Sequence, residues 1–181
     1  MDKPSGFTWK GLGDISEGRA NLGPDMPVLV YRLFQYTLKD ILTREYDEET
    51  ACSLLRAAGH LAGMELAKNL LDLSGDFDFF IANLINRLQE LKIGILRIEK
   101  ADLDLLRFTL TISEDLDCSG LPVSGETVCD YDEGFLAGIL ETYSGNPFAV
   151  KEIDCWATGD RTCRFTAIWD IGGTPLDADN Q

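Results

Sequence analysis

Four residues in the last third of the chain could do metal chemistry: Cys129, Glu152, Cys155 and Cys163. Cys155 and Cys163 stand symmetrically about Gly159, so a three-residue hairpin loop centred there would set them opposite each other. Directly opposed strand residues hold their Cβ atoms roughly 4.5–5.5 Å apart. Two thiolates so placed reach one ion, since zinc bonds sulfur at about 2.3 Å. Cys129 stands where a glycine-bearing loop enters a helix, and a helix N-terminus favours a thiolate. Glu152 precedes Cys155 by three residues, and a regular strand would point the two side chains to opposite faces. A shared site therefore requires a bulge or twist between them. From spacing alone three readings stay open: a metal site, inert core thiols, or a Cys155–Cys163 disulfide.

Other candidates for chemistry are sparse. His60 is the single histidine and lies in an Ala/Gly-rich helical stretch, so no Ser-His-Asp triad is readable. Neither Gly-x-Gly-x-x-Gly nor a P-loop is present. Asp130, Asp132 and Glu133 read as acids at a helix start rather than a calcium loop. Cys52 faces the core of its helix in this reading, and Cys118 sits in a loop that could be exposed. Tyr31, Phe34, Phe79, Phe80, Phe108 and Trp156 come from segments expected to face one another, as plain core or as the wall of an apolar pocket.

These residues need elements to position them. Asp25 and Pro27 open a helix to about Tyr46 with apolar residues at Leu29, Leu33, Leu38 and Ile41. Asp47-Glu48-Glu49 starts a second helix, expected to reach Leu73, with small residues four apart at Ala58/Ala62 and Gly59/Gly63. A third runs from Phe77 to about Lys92, stopped by Gly94. The period then changes to two, giving strands around Leu96–Glu99 and Leu106–Ile112. A short helix, Tyr131–Tyr143, and a closing hairpin of Phe148–Ala157 with Thr162–Trp169 complete the order. The class expected is α+β, with N-terminal helices packed on a mostly antiparallel sheet of about four strands. Residues 1–24 read as an extended lead-in, 25–170 as a single domain and 171–181 as a flexible tail.

With 16 basic against 31 acidic residues the formal charge is -15, which disfavours direct contact with nucleic acid or an anionic membrane surface. No apolar run spans a bilayer or resembles a signal peptide, so a cytoplasmic soluble protein is expected. The apolar first helix and the Gly59/Gly63 face suggest a homodimer.

From Gly120 onward the sequence resembles the 4-vinyl reductase domain family. The resemblance rests on Cys129 before the helix containing Gly134 and Gly138, on Glu152-Ile153-Asp154-Cys155, and on Gly159-Asp160-Arg161-Thr162-Cys163. It extends more softly to Leu22-Gly23, Tyr31-Arg32 and the Ala58-Gly59 to Gly63 helix. Sensory domains of phenol-responsive regulators in this family hold zinc with Cys, Glu, Cys and Cys at similar spacing. The resemblance thus implies a structural Zn²⁺ on Cys129, Glu152, Cys155 and Cys163, with Lys151, Arg161 and Arg164 as nearby positive charges. It also implies a fold similar to heme-NO-binding and TRAPP-type vesicle-tethering domains. The function it implies is a sensory module for a small hydrophobic or aromatic ligand, acting through a dimer or a signalling partner protein. The His and Trp that anchor phenol in those sensors have no counterpart between Phe77 and Phe108. Two alternatives accompany this reading: an enzyme or accessory protein of tetrapyrrole vinyl reduction, and a ligand-free architectural interaction module.

Overall fold

Aspartates start two of the long helices, because a side-chain oxygen there accepts an otherwise unpaired backbone N–H. Asp47 accepts from Thr50 N–H at the head of α3 (Glu48–Leu70), and Asp76 from Phe79 N–H at the head of α4 (Phe77–Glu90). The structure, a computed structural model, describes residues 6–170. The expected tail at 171–181 lies outside the described residues.

The lead-in is not extended throughout. Trp9–Leu12 form a 3-10 turn and Ile15–Gly18 a single helical turn, α1. Then α2 (Val28–Glu45) begins after Pro27, with no side-chain cap from Asp25. Helix α4 stops earlier than expected, because Lys92 adopts a left-handed conformation (φ 59) directly behind it. Gly94 does other work: a Cβ there would strike the Ile112 side chain, so the glycine permits close packing of the following turn.

Strands β1 (Ile95–Asp102), β2 (Arg107–Ser113), β3 (Phe148–Asp154) and β4 (Cys163–Trp169) form one sheet in the order β1-β2-β4-β3. Every pairing is antiparallel. Helix α5 (Asp130–Ser144) crosses from the β2 side of the chain to β3 and is buried along most of its length. The sheet is sided: Phe108, Leu110, Ile112, Val150, Phe165 and Ala167 are buried with α4 and α5 against them. Phe80 stacks on Tyr143, ring centroids 3.9 Å apart, and joins the two helices over that face.

Helix α3 lies along α5 at unusually short range. Gly59 and Gly63 of α3 meet Tyr131 and Phe135 backbone, and Gly134 and Gly138 of α5 meet Arg56 and His60 backbone. The small-residue face expected to serve a second copy is therefore consumed within the chain. Helix α2 is the reverse of an ordinary amphipathic helix. Its polar residues Tyr31, Arg32, Gln35, Tyr36 and Lys39 bond to the body, and none of its residues is buried. Leu29 (70% exposed) and Phe34 (67%) point outward with Val30, Leu33 and Ile41.

Candidate metal centre and adjoining cavity

The cysteines gather where β3 ends, β4 begins and α5 starts. Cys163 opens β4 opposite Ile112, on the buried face of the sheet. Cys155 follows β3 and caps a 3-10 turn, Trp156–Thr158. The ladder between β3 and β4 shifts register between Glu152 and Asp154, which is the bulge that the Glu152–Cys155 spacing requires. Pairing stops at Asp154–Arg164, so Cys155 and Cys163 meet one position beyond the ladder, across a longer loop than three residues. Cys129 is the N-cap of α5.

Cys118 joins them. It is 0% exposed, contrary to the loop position read from sequence, and its Sγ lies 3.0 Å from that of Cys163. Cys129 Sγ stands 3.9 Å from Cys155 Sγ and 3.8 Å from Cys163 Sγ. All four sulfurs fall within 4.8 Å of one another, and all four are free thiols. A tetrahedral ion with bonds of about 2.3 Å separates its sulfurs by about 3.8 Å. The two Cys129 edges match that value; the Cys118–Cys163 pair would have to open slightly. The donor set therefore fits a soft divalent ion such as zinc.

Charge argues the same way. Hydrogen bonds from Cys118, Cys129 and Cys163 push the Cys155 thiol down, while their sulfur neighbours push Cys129 and Cys163 up. One negative charge is thus shared among four sulfurs unless a cation lets more of them ionise. Glu152 lies beside this group. Its Oε2 accepts from Cys129 N–H at 3.0 Å, and Oε1 is buried without a partner. Burial pushes its carboxyl up to about 8, against the opposing pull of that N–H.

The positive side chains are engaged with carboxylates rather than sulfur. Lys151 pairs with Glu133 at 2.7 Å, and Glu133 also accepts from Glu152 N–H. Arg164 holds Glu99 and Asp154, and Arg161 lines a separate surface hollow with Trp156. His60 bonds Glu141 at 2.9 Å, a packed helix-surface role.

The loop that carries Cys118 is held by α2. Arg32 donates to the carbonyls of Leu116 and Ser119 at 2.8 and 2.9 Å, and Tyr31 and Gln35 donate to the two oxygens of Asp117. These bonds span more than 80 residues of sequence, which is why no local pattern marks Cys118 as part of the cluster. Beside this loop lies a cavity of about 380 Å3. Trp9, Leu12, Leu66, Tyr131 and Phe135 supply apolar walls, and Tyr31, Asp117 and Asp132 line its polar side. Burial and the neighbouring Asp115 push Asp117 up to about 6. Burial, then the charges of Asp115 and Asp117, raises Asp132 well above the carboxylate range.

Of the six aromatic residues proposed as a pocket, Tyr31 alone lines this cavity. Phe80 and Phe108 are in the core, Phe34 and Phe79 face outward, and Trp156 donates to Leu121 O. The six do not share a cavity, because α2 turns its aromatic face away from the sheet.

Residues 108–168 match the 4-vinyl reductase domain. The matched segment takes in β2, α5, β3 and β4, and with them Cys118, Cys129, Glu152, Cys155 and Cys163. Two uncharacterized proteins of Methanocaldococcus jannaschii are 35% and 26% identical to the chain over 103 residues, 57% of its length. The chain spans 58% of the length of each. Among solved structures, a vinyl-4-reductase family protein of the same organism is similar at a TM-score of 0.60 and 20% identity, covering 92% of this chain and 99% of that one. The phenol-responsive sensory domain of the transcription activator PoxR, with phenol, gives 0.60 and 17% over 80% and 75% of the two chains. A trafficking protein particle complex subunit 3 from Naegleria fowleri, covalently bound to palmitic acid, gives 0.62 and 12% over 79% and 94%. At these identities the likenesses show a shared α+β fold. No helix among the described residues is long and apolar enough to cross a membrane.

Proposed function

We propose that the chain is a zinc-stabilised module that binds a small hydrophobic molecule and works as a homodimer or through a partner protein. The observation that carries this reading is the cavity of about 380 Å3, apolar on most sides with a few polar groups at one edge. That size and lining are those of small-molecule sites. The likeness to a phenol-responsive sensory domain supports it at the level of fold. The lead-in from Phe7 belongs to the same unit as residues 25–170, because Phe7, Trp9 and Leu12 wall the cavity.

The zinc belongs on Cys129, Cys155 and Cys163 together with Cys118, whose sulfur is already within the group, or with Glu152, whose free Oε1 lies beside it. Four protein ligands close the coordination sphere, so the ion stabilises rather than activates water. The 115–119 loop links the parts. Leu116 and Asp117 line the cavity, Cys118 joins the metal group, and Arg32 ties the loop to α2. A ligand that moves this loop would thereby move α2.

Calorimetric titration with 2-phenylethanol tests the binding reading. It should bind the wild type and fail to bind Ala62→Phe, whose ring would fill the cavity from α3. Failure to bind the wild type rejects the reading. A second measurement addresses the dimer. Exposed Leu29, Leu33 and Phe34 form an apolar strip that polar α2 contacts leave facing out. Light scattering should return about twice 20.1 kDa for the wild type, and a single chain mass for Leu33→Asp/Phe34→Asp. A wild type of one chain mass removes the dimer from the proposal.

A further inference from the structure

The cavity's polar edge has a charge that the rest of the molecule leaves uncompensated. Asp132 is 4% exposed and lines the cavity, and its Oδ2 has no hydrogen-bond partner. Asp115 lies behind it with its own Oδ2 unpartnered, while its Oδ1 accepts from Asp117 and Cys118 N–H. Asp117 is satisfied by Tyr31 and Gln35. Nearby basic groups are all directed elsewhere: Arg32 to carbonyls, Lys39 to Asp130, and Arg56 to Asp130 and Glu133. No lysine, arginine or histidine among the described residues lines the cavity. The third acid on its wall, Glu65, pairs with Lys68.

We propose that this cavity takes a small amphiphilic cation: a ring-sized apolar body against Trp9, Leu66 and Phe135, with a protonated amine on Asp132. The inference rests on the reading of the chain as a small-molecule-binding module. A buried carboxylate oxygen without a partner is costly, and an ammonium donor supplies both the missing hydrogen bond and the missing charge. The aromatic walls add favourable contact with a cation near their faces. The same lining rejects a carboxylate such as a fatty acid, which would enter beside Asp117 and Asp132 with no positive group to meet it. A neutral alcohol satisfies Oδ2 and leaves the charge uncompensated.

The test is calorimetric titration of the whole chain at pH 7 and physiological salt with three probes of one shape: 2-phenylethylamine, 2-phenylethanol and phenylacetate. A charge-assisted bond in place of a neutral one predicts roughly tenfold tighter binding of the amine than of the alcohol, and no binding of phenylacetate. Asp132→Asn should remove the amine's advantage and keep the alcohol. Ala62→Phe should abolish both. If the alcohol binds as tightly as the amine, or if the amine still binds Ala62→Phe, the cation assignment is overturned while the binding module stands. If neither probe binds the wild type, the binding reading fails first and takes this one with it. Should Asp132→Asn not fold, the wild-type ranking and Ala62→Phe decide alone.

Discussion

Cys129→Ser is expected to strip the chain of its metal and lower its melting temperature by about 10 °C or more. Cys129 is central to the group, its sulfur meeting those of Cys155 and Cys163 at 3.9 and 3.8 Å, the edge lengths of a tetrahedral site. Serine is a poor ligand for a soft ion, so three sulfurs remain where four donors are needed. An ion held a thousandfold above its Kd contributes about 4 kcal/mol to stability. In a protein of this size, that corresponds to roughly 8–16 °C. Metal content by mass spectrometry should fall from one zinc per chain to none, and chelator should reproduce the shift in the wild type but not in the variant. The same measurement separates Cys118 from Glu152 as fourth ligand. If Cys118 holds the ion, Cys118→Ser loses zinc and Glu152→Gln keeps it; the opposite pattern assigns the place to Glu152. A wild type that folds fully without metal, with equal melting in chelator, would leave the four residues as core thiols.

Gly134→Ala should destabilise the chain by roughly 3 kcal/mol, although alanine is the better helix former. In a helix free of neighbours, the exchange stabilises by about 1 kcal/mol. Here a Cβ would collide with the Arg56 carbonyl oxygen and stand 2.8 Å from His60 N. Both obstacles are backbone of α3, so the helices must separate, and overpacking of a close interface costs about 1–3 kcal/mol or more. Gly18→Ala is the control, because nothing lies within 4 Å of its Cβ position and the exchange should be close to neutral. Urea denaturation of the three proteins checks the sign. A stabilised Gly134→Ala would mean that α3 and α5 are not packed backbone to backbone.

Much of the fold was legible because short-range signals carry it. Asp47 caps α3, the period-two runs become β1 and β2, and the order of helices and strands leads to an α+β sheet. The need for a bulge after Glu152 followed from strand geometry alone, and the register shift between Glu152 and Asp154 supplies it. The Gly59/Gly63 face was readable as a place of close backbone approach; its partner was not. Sequence spacing cannot say whether the second backbone belongs to the same chain, and α5 with Gly134 and Gly138 takes the place assigned to a second copy.

The types and spacing of Cys129, Cys155 and Cys163 were determined by the sequence itself, as was the helical stripe of Leu29, Leu33 and Ile41. Tertiary structure alone decided which way that stripe faces, because the polar residues between its members bond to the 115–119 loop and turn the apolar ones outward. Those same bonds bring Cys118 to the other sulfurs and Asp117 to the cavity wall. Contacts between residues more than 80 positions apart leave no period or motif in the chain, since they depend on how the helices close over the sheet.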